Sequence, residues 1–190
     1  MTASQVKYEM LKHFSYGGYF ATFTEAFNNS DVLTLKRSMY TVEVEVKVSR
    51  YDLANELKAI RTALKYDLFK DSKVSSTKYY KHERYLLPIE RKKTIARGGF
   101  IPNEFYFAVP EELEIQAKEI LYDLDLPYGL YVVDKHNRWD SVVRHIDAKK
   151  LHRDKINETW LLRLVSKASN EVLSTRKKLM EMESNASSNS

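Results

Sequence analysis

Apolar and polar residues alternate most cleanly between Tyr40 and Ser49, where Val42, Val44, Val46 and Val48 are interleaved with Glu43, Glu45 and Lys47. Strand side chains repeat every two residues, so the valines face a core and the three charges share the opposite face. After Ser49 the period lengthens: Leu53, Leu57, Ile60 and Leu64 recur at helical spacing, with Ser49 or Asp52 placed to cap the helix. Upstream, Val6, Met10, Leu11 and Phe14 fall on one face of a helix over residues 4–14, with Ser4 as its cap and Gly17-Gly18 as its stop. Tyr19 to Phe27 is rich in aromatic and β-branched residues and predicts a strand. Asn28-Asn29-Ser30 predicts a turn, and Asp31 to Leu35 opens another strand.

Farther along, Phe105 to Val109 reads as a short buried strand stopped by Pro110, and Glu111 to Tyr122 as a helix. Tyr128 to Val133 reads as a second buried strand ending at Asp134. Strand, helix, strand, helix, strand is the order from residue 40 to 134, which predicts crossover connections and a sheet that is at least partly parallel. Thr159 to Met182 carries one long helical pattern, with Leu161, Leu164, Val165, Val172 and Leu179 among its apolar positions. The expected division is a main domain over residues 1–150, a helical extension over 151–183 and a small polar tail over 184–190, disordered by its composition.

Composition narrows the function. The chain has 190 residues and a net charge of +5, with 31 lysines and arginines set against 26 acidic residues. That balance favours an anionic partner without requiring one. The absence of cysteine excludes disulfides and thiolate zinc sites and suits a reducing cytoplasm. Neither a secretory signal nor a run of ~20 apolar residues for a membrane span is expected. The five histidines show no metal-ligand spacing, and the glycine pairs carry no Walker or dinucleotide pattern.

Glu45 and Lys47 lie two residues apart on one strand face, roughly 7 Å along it. Carboxylates bind hard cations through oxygen, such a cation activates water, and a neighbouring lysine stabilises charge growing on phosphate oxygens. Hairpin pairing of residues 31–36 with 41–48 would bring Asp31 beside Glu45. By itself the spacing is a weak signal, since Glu-x-Lys on an alternating strand more often marks a solvated face with a cross-strand ion pair.

Asp31-Val32-Leu33 followed by Val44-Glu45-Val46-Lys47-Val48-Ser49-Arg50-Tyr51-Asp52-Leu53 resembles the signature of the PD-(D/E)xK nuclease superfamily, in its phage-encoded and mitomycin-inducible DNA-repair-type members. Lys78, Lys81-His82 and Tyr85 match a Lys-x-x-Lys-His-x-x-Tyr segment of that group. Pro102 to Glu111 resembles its aromatic strand and Pro127 to Asp134 its final Gly-Leu strand, all in the same order. The resemblance implies a restriction-endonuclease-like α/β fold, a mixed central sheet flanked by helices, followed here by a long C-terminal helix.

It also implies an Mg²⁺- or Mn²⁺-dependent nuclease acting on nucleic acid, DNA in the first place, in the cytoplasm of a bacterium or phage-infected host. Asp31 and Glu45 would hold the metal with the Val46 carbonyl, and Lys47 would serve the water and the transition state. Lys78, Lys81, His82 and Tyr85 would hold the substrate strand. Glu25 stands either as an accessory carboxylate or as a plain strand-end residue. Glu43 departs from the pattern by adding a third charge, and Glu45 is preferred by its spacing to Lys47. The stretch from Lys78 to Arg97 reads either as a phosphate-contacting segment or as a solvated basic loop. The last helix reads as a DNA-facing arm, a contact between subunits of a homo-oligomer or a cover over the sheet, and its apolar stripe favours packing within the domain or between subunits. The alternative function is a non-catalytic nucleic-acid-binding or assembly subunit on the same fold.

Overall fold

The computed structural model describes residues 1–27, 30–65, 77–134, 136 and 141–188, and it excludes the side chains of 77–80 and 183–188. The chain divides into two compact units, residues Met1–Lys155 and Ile156–Ser190. The first holds a six-stranded sheet built from β1 (Ala21–Thr24), β2 (Val32–Leu35), β3 (Thr41–Val46), β4 (Glu104–Pro110), β5 (Gly129–Val133) and β6 (Val142–Ile146). The strands lie side by side in chain order. β1, β2 and β3 form an antiparallel meander, β3, β4 and β5 run parallel, and β6 returns antiparallel at the edge. The parallel centre follows from helical crossovers between β3 and β4 and between β4 and β5, as the alternation of elements predicts. Strand β6 is an addition to the sequence reading.

Helix α1 (Ala3–Tyr16) covers one face. Its Val6, Met10 and Phe14 pack on Val32, Val42, Val44, Val46 and Tyr106, so the valines of β3 meet a core as their period requires. Its cap is Thr2 rather than Ser4. Thr2 and Gln5 exchange side-chain and backbone hydrogen bonds in a reciprocal box, which satisfies two N-terminal donors at once. The helix ends at Gly17 and Gly18, the latter at φ 75°.

The opposite face is covered by α2 (Arg50–Leu64), α3 (Thr77–Leu86), α4 (Pro88–Ala96) and α5 (Glu114–Asp123). Leu53, Ile60, Tyr85, Ala117 and Leu121 pack there on Phe105, Phe107, Leu130 and Val132. Ser49 caps α2, its hydroxyl accepting from the Asp52 amide at 3.1 Å. The buried positions of α2 are Leu53, Glu56, Ala59, Ile60 and Ala63, while Leu64 is exposed. The buried stripe is therefore turned from the leucine series, and a glutamate sits within it. Asn103 ties the start of β3 to the segment that follows β6. Its Oδ1 accepts from the Thr41 amide at 2.8 Å, and its Nδ2 donates to the Asp154 carbonyl at 2.7 Å.

The second unit is α6, a helix over Glu158–Ser188, opened by Asn157 accepting from the Trp160 amide at 3.0 Å. It runs through residues 184–188, which the sequence reading placed in a disordered tail. Asn28, Asn29, residues 66–76 and residues 189–190 lie outside the described residues, and with them most of the proposed turn and the polar stretch after α2.

Gly129 is required by packing. A Cβ there would run into the Tyr106 ring and stand 2.7 Å from the Ile146 carbonyl oxygen. Gly129→Ala should lower stability by about 1–3 kcal/mol, read as a shifted urea midpoint. An unchanged midpoint would mean that β4, β5 and β6 are not packed in this register.

Candidate functional site

The charged face of β3 is buried under α2 and α3, not solvated. Glu43 is 0% exposed and Lys47 3%. A carboxylate in such surroundings is strongly disfavoured unless paired, and each charge here has its partners. Lys81 Nζ lies 2.6 Å from Glu43 Oε1 and 2.7 Å from Glu45 Oε2. Lys47 Nζ lies 2.7 Å from Glu45 Oε1 and 2.7 Å from Glu56 Oε2. Tyr85 donates its hydroxyl to Glu43 Oε2 at 2.7 Å, and His82 Nε2 lies 2.6 Å from Glu56 Oε1. His82 Nδ1 meets the Tyr128 hydroxyl at 2.9 Å. The result is one chain of contacts: Tyr85, Glu43, Lys81, Glu45, Lys47, Glu56, His82, Tyr128.

Burial pushes the His82 pKa down, against the pull of Glu56, so the imidazole is neutral. Its Nε2–H then donates to Glu56, and Nδ1 accepts from Tyr128. Burial would raise the Glu56 carboxyl, but the His82 hydrogen bond and the Lys47 charge outweigh it and hold the group far below the usual range. Glu45 is likewise lowered, with Lys81 and Lys47 overcoming burial. At Glu43 burial wins over Lys81 and Tyr85, and its pKa is raised. Three carboxylates thus face two ammonium groups and a neutral imidazole, and Glu43 is the least willing to ionise. Burial opposes the charge on both lysines, yet their flanking glutamates raise both pKa values and keep them protonated.

Asp31 lies beside this chain, level with Glu45. The β2–β3 register pairs Val32 with Val44, so Asp31 precedes the ladder opposite Glu45. Its Oδ2 accepts from the Val46 amide at 2.7 Å, a side chain taking the next rung where the strand stops. Its Oδ1 pairs with Lys7 of α1 at 2.7 Å, and Lys7 also pairs with Glu25. Glu25 holds φ 48° and its side chain is 59% exposed.

The structure therefore joins Glu45 and Lys47 directly and docks Asp31 on the peptide between them. It gives Glu43 a partner in Lys81 rather than a competing place beside Lys47. His82 and Tyr85 are 0% exposed and Lys81 6%, so they hold carboxylates within the fold in place of reaching a strand at the surface. The Lys78 side chain lies outside the described residues. Glu56 and Lys7 are the additions: a glutamate on the buried stripe of α2 is a legible signal, whereas nothing around Lys7 sets it apart.

Asp31, Glu45 and the Val46 carbonyl carry oxygens of the hard type that a small divalent cation takes, commonly one or two carboxylates with water and substrate completing the shell. Among the described residues no group of three His, Asp or Glu side chains is gathered as a ready cage. Each oxygen of Asp31 and Glu45 has a nitrogen neighbour, so a cation would share those oxygens or exchange with Lys7, Lys47 or Lys81. That exchange is most open at the Asp31–Lys7 pair, whose side chains are 18% and 22% exposed, against 4% for Lys47.

A neutral His82 makes stability depend on pH. Its folded pKa lies below 6.5, so the unfolded chain binds the extra proton first and stability falls as pH drops through that value. Glu45 and Glu56, depressed from 4.5, add stability at higher pH that is lost on further acidification, while Glu43 works in the opposite sense. Urea unfolding at about pH 7.5 and about pH 5.5 should show a loss in the wild type and a much smaller loss in His82→Gln. Equal losses would contradict a neutral buried imidazole.

No family model and no curated protein matches this chain. Among solved structures it is similar to the SPO1766 protein of unknown function from Silicibacter pomeroyi, at 13% identity and a TM-score of 0.54, over 93% of this chain and 92% of that one. At that identity the likeness speaks for a shared fold.

Proposed function

We propose that this chain is a metal-dependent nuclease of the PD-(D/E)xK type, hydrolysing DNA phosphodiester bonds in phage DNA metabolism or repair. The observation that carries the reading is the arrangement on β3: Glu45 and Lys47 share one buried face, with Asp31 bound to the intervening Val46 amide at 2.7 Å. A mixed sheet flanked by helices also accords with it. Asp31 and Glu45 would hold Mg²⁺ or Mn²⁺, with the Val46 carbonyl as a further oxygen. A cation held there supplies an acidified water and neutralises charge on the phosphate.

Lys47 stays protonated between Glu45 and Glu56, so its role is to donate a hydrogen bond and stabilise transition-state charge, not to remove a proton. Glu56, itself fixed by His82, sets where that ammonium points. Lys81 plays the matching part on the other oxygen of Glu45 and leaves Glu43 shielded. Lys7 pairs with Asp31 and would release its carboxylate to a cation held there.

One observation favours a second reading, a nucleic-acid-binding or assembly subunit on the same fold. Asp31 and Glu45 are already paired with lysines of the chain itself, so their charges have partners without a metal.

The two readings separate in a cleavage panel of plasmid, single-stranded and branched DNA with Mg²⁺, Mn²⁺ or chelator. Metal-dependent cutting should be abolished in Glu45→Ala and reduced by about 100-fold or more in Lys47→Ala, with DNA affinity nearly unchanged and folding verified in parallel. Salt-sensitive DNA binding without any metal-stimulated cutting would instead establish the binding subunit.

A further inference from the structure

Helix α6 carries a second pattern, independent of the candidate site. Val165, Ala168, Val172, Thr175, Leu179 and Met182 follow one another at alternating steps of three and four, the seam of a left-handed coiled coil. With Val165, Val172 and Leu179 at the first core position, the fourth core position takes Ala168, Thr175 and Met182. The seam is open: Val165 is 56% exposed, Val172 66%, Leu179 54% and Met182 68%. Apolar side chains of this size, exposed in register along one helix face, mark an interaction surface.

The flanking charges say what covers it. In a parallel pair of helices, the residue before each first core position lies against the residue five places on in the partner. Glu171 then meets Arg176 of the second copy, and Arg176 meets its Glu171, by two-fold symmetry. In the sequence, Lys178 and Glu183 repeat the relation one heptad later with the signs reversed. An antiparallel pair would bring Glu171 against Lys178 and leave Arg176 facing Ser169, so the charges match better in the parallel arrangement. β-Branched residues at two of the three first core positions favour two strands over three or four. Within one helix Lys167 pairs with Glu171 at 2.9 Å, which supports the helix without covering the seam.

We propose that α6 pairs with α6 of a second copy of this chain as a parallel two-stranded coiled coil. Small residues at two of the fourth core positions keep the contact modest, so association depends on protein concentration. This gives each dimer two copies of the first unit joined through their C-terminal helices, whatever chemistry that unit performs.

Sedimentation equilibrium of the full chain tests it, with three variants. The wild type should approach twice 22.3 kDa across the micromolar range, and Val172→Asp should remain monomeric with an unchanged urea transition of the first unit. Glu171→Lys should associate roughly tenfold more weakly, because two symmetry-related pairs turn from attraction to repulsion, and adding Arg176→Glu should restore the affinity. The chain has no cysteine, so Met182→Cys offers a single thiol per copy. Oxidation should link it into a dimer, since parallel packing places residue 182 beside residue 182. A monomeric wild type, a Val172→Asp protein that still dimerises, or a dimer in which Met182→Cys does not cross-link would each overturn the proposal.

Discussion

The burial of Glu43, Glu45 and Glu56 beneath two helices is the constraint around which the first unit is organised. Carboxylates taken out of water must find cations or hydrogen-bond donors, and two lysines and a neutral histidine are placed to meet them. This forces agreement between elements that are distant in sequence. Lys81 and His82 on α3 and Glu56 on α2 can satisfy β3 only if both helices pack in one rotation and at one height. The aromatic layer under α3 assists: Phe105 lies 5.0 Å below Lys81 Nζ, and its ring centroid is 4.5 Å from that of Tyr128. An apolar core would accept several packings of these helices. The ion-pair chain accepts few.

The same constraint shapes what the site can do. Charges set in alternating order and closed by a tyrosine at each end are held in place before any ligand arrives, the condition for electrostatic stabilisation without reorganisation. Beside that chain, the Asp31–Lys7 pair is more exposed than Lys47 and is open enough to exchange a partner. On the nuclease reading, the interior fixes the direction of Lys47 and the exterior admits cation and phosphate. On the binding reading, the interior serves specificity of folding alone.

Much of this was legible in the sequence, and the misses have physical causes. The alternation at 40–49 located β3, its two faces and the Glu45–Lys47 pair, because strand period depends on no other element. The parallel centre followed from the order of elements. That the charged face would be buried was not legible, since alternation does not reveal what covers a face. Its cover comes from α2 and α3, whose contribution turns on Glu56 and Lys81. Glu56 left a trace, a charge inside an apolar stripe, which the leucine series obscured by favouring Leu57 and Leu64. Lys7 left none, because its value depends on where α1 crosses the end of β2. Strand β6 escaped because only Val142 of its residues is buried, so it carries little hydrophobic pattern. The burial of His82 and Tyr85 was hidden for a similar reason: a motif gives residue types and spacing, and burial decides whether they face substrate or support the residues that do.

The most direct test of the account is binding of Mn²⁺ followed by electron paramagnetic resonance or calorimetry, without any nucleic acid. The account predicts saturable binding that is lost in Glu45→Gln and Asp31→Asn, and strengthened in Lys7→Ala, where the competing ammonium is gone. Absence of saturable binding in both the wild type and Lys7→Ala would show that the lysines, and not a metal, are the lasting partners of these carboxylates.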